Sequence, residues 1–127
     1  MRLDETDLKY LWDMLDAARR ALSHVAGMTE EQYRRDRKTQ DAVERTVEIV
    51  GEAARHVSEP ARAQFPELRW GSIVAARHIL AHEYDDVNQQ VMWKIITIHL
   101  PVLTTTLAPV VEANPPGPEA GENPTSP

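Results

Sequence analysis

The sequence contains no cysteine, a single phenylalanine and only five glycines in 127 residues. Without cysteine there is no disulfide framework, no thiolate nucleophile and no sulfur-built zinc knot. Period-two alternation and hairpin dipeptides are missing as well, which removes the all-β classes. No apolar run approaches the roughly 20 residues that span a bilayer. The charged start, Met1-Arg2-Leu3-Asp4-Glu5, lacks the apolar centre of a signal peptide. The expected compartment is the cytoplasm, with no membrane partner. Positive charge is also scarce. Fourteen basic side chains face twenty acidic ones, a net −6, which excludes a high-affinity electrostatic wrapper of nucleic acid.

What is present divides unevenly. From Glu112 onward the chain holds five of its nine prolines, three acids and no large apolar residue. Such a segment cannot offset the entropy of ordering it. It reads as a disordered tail over 112–127, leaving a folded domain over 1–111 that carries half of the net charge. Within that domain the apolar period is helical. Leu8, Leu11, Trp12, Leu15, Leu22 and Val25 predict a first helix near 4–25, closed by Gly27. Thr29 with Gln32 predicts a capping box, opening a helix to about 57 that buries Tyr33, Val43, Val47, Val50, Ala54 and Val57. A short helix follows at Pro60, and a third long one begins near Ser72. The last, near 87–108, is expected to bury Val91, Ile95, Ile98, Val102 and Leu107, with a local bend at Pro101. The fold class is therefore all-α: a bundle of four long helices plus a short connecting one.

The chemically dense segment is Arg77-His78-Ile79-Leu80-Ala81-His82-Glu83-Tyr84. At about 100° per residue, positions 77 and 84 fall within about 20° of each other, and 78 lies below 82. One helix end therefore gathers a guanidinium, two imidazoles and a phenol. That set suits phosphoryl chemistry on RNA. An imidazole can take a proton from a 2′-hydroxyl or deliver one to a leaving 5′-oxygen. A guanidinium clamps phosphate and stabilises charge developing on it. The i,i+4 spacing of His78 and His82 also occurs in metal sites, but no acid completes a set on the same strip, so no metal is expected. Tyr84 has two readings, a ring packed on a neighbouring helix or a regulatory position. The only basic cluster is Arg34, Arg35, Arg37 and Lys38. It is either a phosphate contact for RNA or, the favoured reading, a solvated face paired with Glu30, Glu31 and Asp41.

These residues resemble a known family. Arg77, His82 and Tyr84 match the Arg-X4-His-X-Tyr signature of HepT-like toxins, which belong to the HEPN superfamily of α-helical ribonucleases. Asp36-Arg37-Lys38-Thr39-Gln40 and Glu48-Ile49-Val50-Gly51-Glu52-Ala53-Ala54 are similar to the family's second helix, Phe65-Pro66-Glu67-Leu68-Arg69-Trp70 to its lead-in to the active helix, and Leu100-Pro101-Val102-Leu103 to its last. The resemblance implies an endoribonuclease that needs no metal and no cofactor, the toxin of a type VII toxin–antitoxin pair. It implies RNA, tRNA included, as substrate, and homodimers whose active segments face each other. It also implies a cognate MntA-like nucleotidyltransferase antitoxin that silences the toxin by AMP transfer. Arg77 and His82 would be the catalytic pair, His78 their polar support and Tyr84 the modified position. The family more often has asparagine or aspartate where this chain has His78. A non-catalytic helical module that partners a nucleotidyltransferase is the alternative.

Overall fold

The structure, a computed structural model, describes residues 3–82 and 88–115, the backbone alone at 77–82. Helix α1 (Glu5–His24) opens on Asp4, whose carboxylate accepts from the Asp7 amide at 2.8 Å. It ends ahead of Gly27, which takes φ +80°, a backbone that glycine adopts without strain.

The single helix expected over 29–57 is two helices, α2 (Glu30–Arg34) and α3 (Arg37–Arg55). Thr29 and Gln32 complete the capping box that opens α2. The break falls at Asp36, whose side chain accepts from the Thr39 amide at 3.0 Å and so caps α3. Aspartate offers its own downstream amides an alternative to helix continuation. The apolar period of the flanks runs across that break and hides it. Tyr33, Val43, Val47, Val50, Ala54 and Val57 are all buried as predicted.

Helix α4 (Glu59–Ala63) is capped by Ser58 and carries Pro60 in its first turn, where a missing N–H costs nothing. Helix α5 (Trp70–His82) starts two residues ahead of the predicted position. A last helical stretch runs from Gln89 to Ala113 as α6 (Gln89–Lys94), a π-turn (Ile95–His99) and α7 (Leu100–Ala113). The π-turn answers Pro101. Proline has no N–H to give the Thr97 carbonyl, and its ring crowds that oxygen. The chain widens by one residue instead, and the Leu100 amide bonds the Ile95 carbonyl.

Two expectations about this stretch are corrected. It is 25 residues long and apolar enough to cross a membrane by length and composition, contrary to the sequence count. It packs on α1, and Leu100, Leu103, Leu107 and Val111 are buried. Val91, Ile98 and Val102, expected in the core, are 49%, 54% and 46% exposed, while Met92 and Ile96 are buried in their place. The stretch carries two apolar stripes side by side, and periodicity does not say which of them faces α1.

Helix α3 is the centre of the bundle, with α1 and α5 packed on it. At its C-terminal end Arg62 donates to the carbonyls of Ala54 and Val57 at 3.0 and 3.1 Å, and its guanidinium lies 5.5 Å from the centre of the Trp70 ring. The Trp70 indole donates to the Phe65 carbonyl at 3.2 Å. Helix α5 therefore starts beside the end of α3 and runs back along it, with Val47 and Val50 of α3 sharing one groove with Ile73 and Ala76.

Candidate active site

Helix α5 stays helical through His82, so Arg77, His78 and His82 occupy helical positions. Position 77 is seven residues after Trp70 and four after Ile73, in helical register with both along α5. Positions 78 and 82, one turn apart, share the adjoining strip. Tyr84 lies outside the described residues, as do Glu83, Asp85 and Asp86.

The antiparallel course of α5 along α3 has a consequence that composition could not show. The C-terminal turn of α5 points to the end of the bundle where α3 begins. Arg37 opens α3, and Arg34 and Arg35 close α2 just ahead of it. Forty-three residues of sequence separate Lys38 from His82, and the fold brings both to one end. Each arginine there has a local partner. Arg34 lies 3.7 Å from Glu30, Arg35 lies 2.5 Å from Glu31 and Arg37 lies 3.6 Å from Asp41. All three pairs are more than two-fifths exposed on both sides, a class worth about 0.3–0.5 kcal/mol each. A phosphate that offers a bidentate contact competes with such partners. Lys38 lies beside Asp36, whose carboxyl is held below its ordinary value first by the Thr39 amide and further by the Lys38 charge.

Sequence reasoning missed a second feature of this end. Gln89 opens α6 with both ends of its side-chain amide engaged, by the Tyr33 hydroxyl at 2.5 Å and by the Glu44 carboxylate at 2.6 Å. A glutamine at a helix start looks solvated in a sequence, and no spacing links it to residues 45 and 56 positions away. Sequence reasoning also missed a groove of about 430 Å³ along α5, floored by Val47, Val50 and Ile73 and flanked by Ile95 and Val102. Among the described residues no cluster of histidine and acidic side chains is placed to hold a metal ion.

An all-α bundle with Arg77 and His82 at helical positions of α5 is the arrangement that the resemblance to α-helical ribonucleases implies. Comparison with known proteins gives the family. The model of the "Ribonuclease HepT-like" family matches residues 14–110. The chain belongs to this HEPN ribonuclease family and is an endoribonuclease. It is 32% identical over 94 residues to the "Probable ribonuclease HepT" of Thermococcus cleftensis, covering 74% of this chain and 86% of that protein. It is 29% identical over 100 residues to "Putative RNase MJ1380" of Methanocaldococcus jannaschii, covering 78% and 92%. No solved structure matches the chain.

Proposed function

We propose that this ribonuclease is the toxin of a type VII toxin–antitoxin pair, cutting cytoplasmic RNA, with tRNA as the candidate target, without a metal ion. The observation that carries the reading is the unbroken helix through His82, which keeps Arg77 and His82 on one helix end at the family's spacing. His82 serves as the proton-transfer group. It takes the 2′-hydroxyl proton as the 2′-oxygen attacks phosphorus, or returns one to the 5′-oxygen as the phosphorus–oxygen bond breaks. Arg77 holds the phosphate and stabilises the charge that builds on its free oxygens. His78 supports the pair, and Arg34, Arg35, Arg37 and Lys38 give the flanking strand weak cationic contacts.

Two copies pair through the face built by α5 and the last helical stretch. Val91, Ile98 and Val102 stand exposed there beside the apolar groove, and large exposed apolar patches mark interaction sites. An MntA-like nucleotidyltransferase silences the enzyme by moving AMP from ATP to the Tyr84 hydroxyl, with pyrophosphate leaving.

The test is RNA cleavage by purified protein in EDTA. Wild type is expected to cut at full rate, and Arg77→Ala or His82→Ala to lose at least about 10²-fold. Cleavage that needs added divalent cation overturns metal independence, and equal cleavage by both variants overturns the catalytic assignment. After incubation with the partner and ATP, an AMP-sized mass gain on wild type but not on Tyr84→Phe is expected. A gain on both overturns the Tyr84 assignment.

A further inference from the structure

Two long-range side-chain hydrogen bonds converge on one glutamine. The Oε1 of Gln89 accepts from the Tyr33 hydroxyl at 2.5 Å, and its Nε2 donates to the Glu44 carboxylate at 2.6 Å. Tyr33 is fully buried. Its ring lies 5.4 Å from that of Trp93, and its carbonyl accepts from the Gln40 side chain at 3.0 Å. Burial and, less strongly, the Glu44 charge hold the phenol above its ordinary value, so it remains a donor. An ionised carboxylate only accepts. The amide therefore has one workable orientation, because turning it over would set its oxygen against the acceptor-only carboxylate of Glu44. One side chain ties α2, α3 and α6 together with no second arrangement of equal energy.

The place of this clamp matters more than its strength. The chain leaves α5 at His82 and is helical again at Gln89. Helix α6 packs on α2 and on the π-turn after it, and among the described residues the Gln89 amide links its start to α3, the helix on which α5 lies. Glu44 stands three residues ahead of Val47, about one helical turn from the level at which Val47 shares the groove with Ala76. That step leads toward the end of the bundle reached by Arg77 and His82.

We propose that Gln89 is a positioning residue for RNA cleavage: clamped between Tyr33 and Glu44, it fixes where the chain rejoins the bundle after His82 and so holds the catalytic end of α5 in place beside α3. The proposal rests on the reading of Arg77 and His82 as the catalytic pair. Proton transfer and phosphate clamping tolerate little displacement, and a 1 Å error costs on the order of 10²-fold in rate. Gln89 needs no contact with RNA to exert such an effect.

The experiment measures kcat, KM and thermal unfolding for wild type, Tyr33→Phe, Gln89→Leu and Gln89→Glu on one oligoribonucleotide, at a temperature where each is fully folded. Tyr33→Phe and Gln89→Leu are expected to lose about tenfold or more in kcat, with KM held within about twofold. Tyr33→Phe removes one oxygen atom and keeps the test open if Gln89→Leu does not fold. Gln89→Glu carries a sharper signature. As a carboxylic acid the new side chain both accepts from Tyr33 and donates to Glu44. As a carboxylate it loses the donor and faces a like charge. Its kcat is expected to approach wild type at acidic pH and to fall as pH rises, through an ionisation that the wild-type profile lacks. Unchanged kcat in folded Tyr33→Phe and Gln89→Leu, a rise in KM alone, or a wild-type pH profile for Gln89→Glu overturns the proposal. If Arg77→Ala and His82→Ala also cleave normally, the catalytic assignment fails with it. If those two are inactive while the clamp variants keep full kcat, the clamp proposal fails alone.

Discussion

Asp7 is the clearest case of a side chain whose work is invisible in its neighbourhood of sequence. It is buried on α1, and its two carboxylate oxygens accept from the amide and the hydroxyl of Ser58 at 2.8 and 2.7 Å. Ser58 in turn caps α4, its Oγ accepting from the Ala61 amide at 3.3 Å. One carboxylate thus joins the start of the bundle to the turn that delivers α4 and, beyond it, α5. Removing it leaves a backbone amide without a partner, a loss of about 1–3 kcal/mol. We expect Asp7→Ala to lower stability by that amount in urea unfolding and Asp7→Asn to lower it less, since the amide oxygen still accepts. A change below about 0.5 kcal/mol for Asp7→Ala, the range of an ordinary surface substitution, would show that the tie contributes nothing. In the sequence Asp7 looks like one more acid in a helix first turn, because its partner lies 51 residues away.

Among the helices, α1 and α4 and the buried stripe of α3 were legible, since apolar spacing and capping residues act locally. The α2–α3 break was not. Asp36 turns the chain there, and its carboxyl is held below its ordinary value of 3.8, chiefly by the Thr39 amide it accepts from. A carboxyl whose folded value is lowered adds stability above its unfolded value and loses it as pH falls through the folded one. The advantage of wild type over Asp36→Asn in urea midpoint is therefore expected to be full at pH 7 and to shrink below about pH 4. A constant difference between pH 7 and pH 3 would place the origin of that advantage elsewhere. The π-turn follows the same logic as Asp36. Pro101 announced a disturbance, and the protein absorbs it by widening one turn.

The molecule as a whole exposes what its most apolar helical stretch does not use. Met92, Ile96, Leu100, Leu103, Leu107 and Val111 are buried, while Val91, Ile98 and Val102 face outward next to the groove along α5. In the proposed pairing this ridge and groove serve both copies at once, as an interface with twofold symmetry requires. Ile98→Glu is expected to shift light-scattering mass from dimer to monomer and to lower RNA cleavage. Its thermal midpoint should stay within a few degrees of wild type, because the side chain is already more than half exposed. A monomeric wild type, or a dimeric Ile98→Glu variant, would remove this face as the interface.

Helix content, the all-α class and the spacing of Arg77, His82 and Tyr84 follow from the order of residues, because turn period, capping and spacing along one helix are local properties. Which apolar stripe of the last helical stretch is buried, and which distant groups meet Asp7 and Gln89, depends on how helices lie across one another. The return of α5 along α3, which carries the arginines of α2 and α3 to the end where His82 stands, is likewise a tertiary result. These relations join residues about 40 to 56 positions apart, where no short-range preference reaches and only the packing of the core chooses.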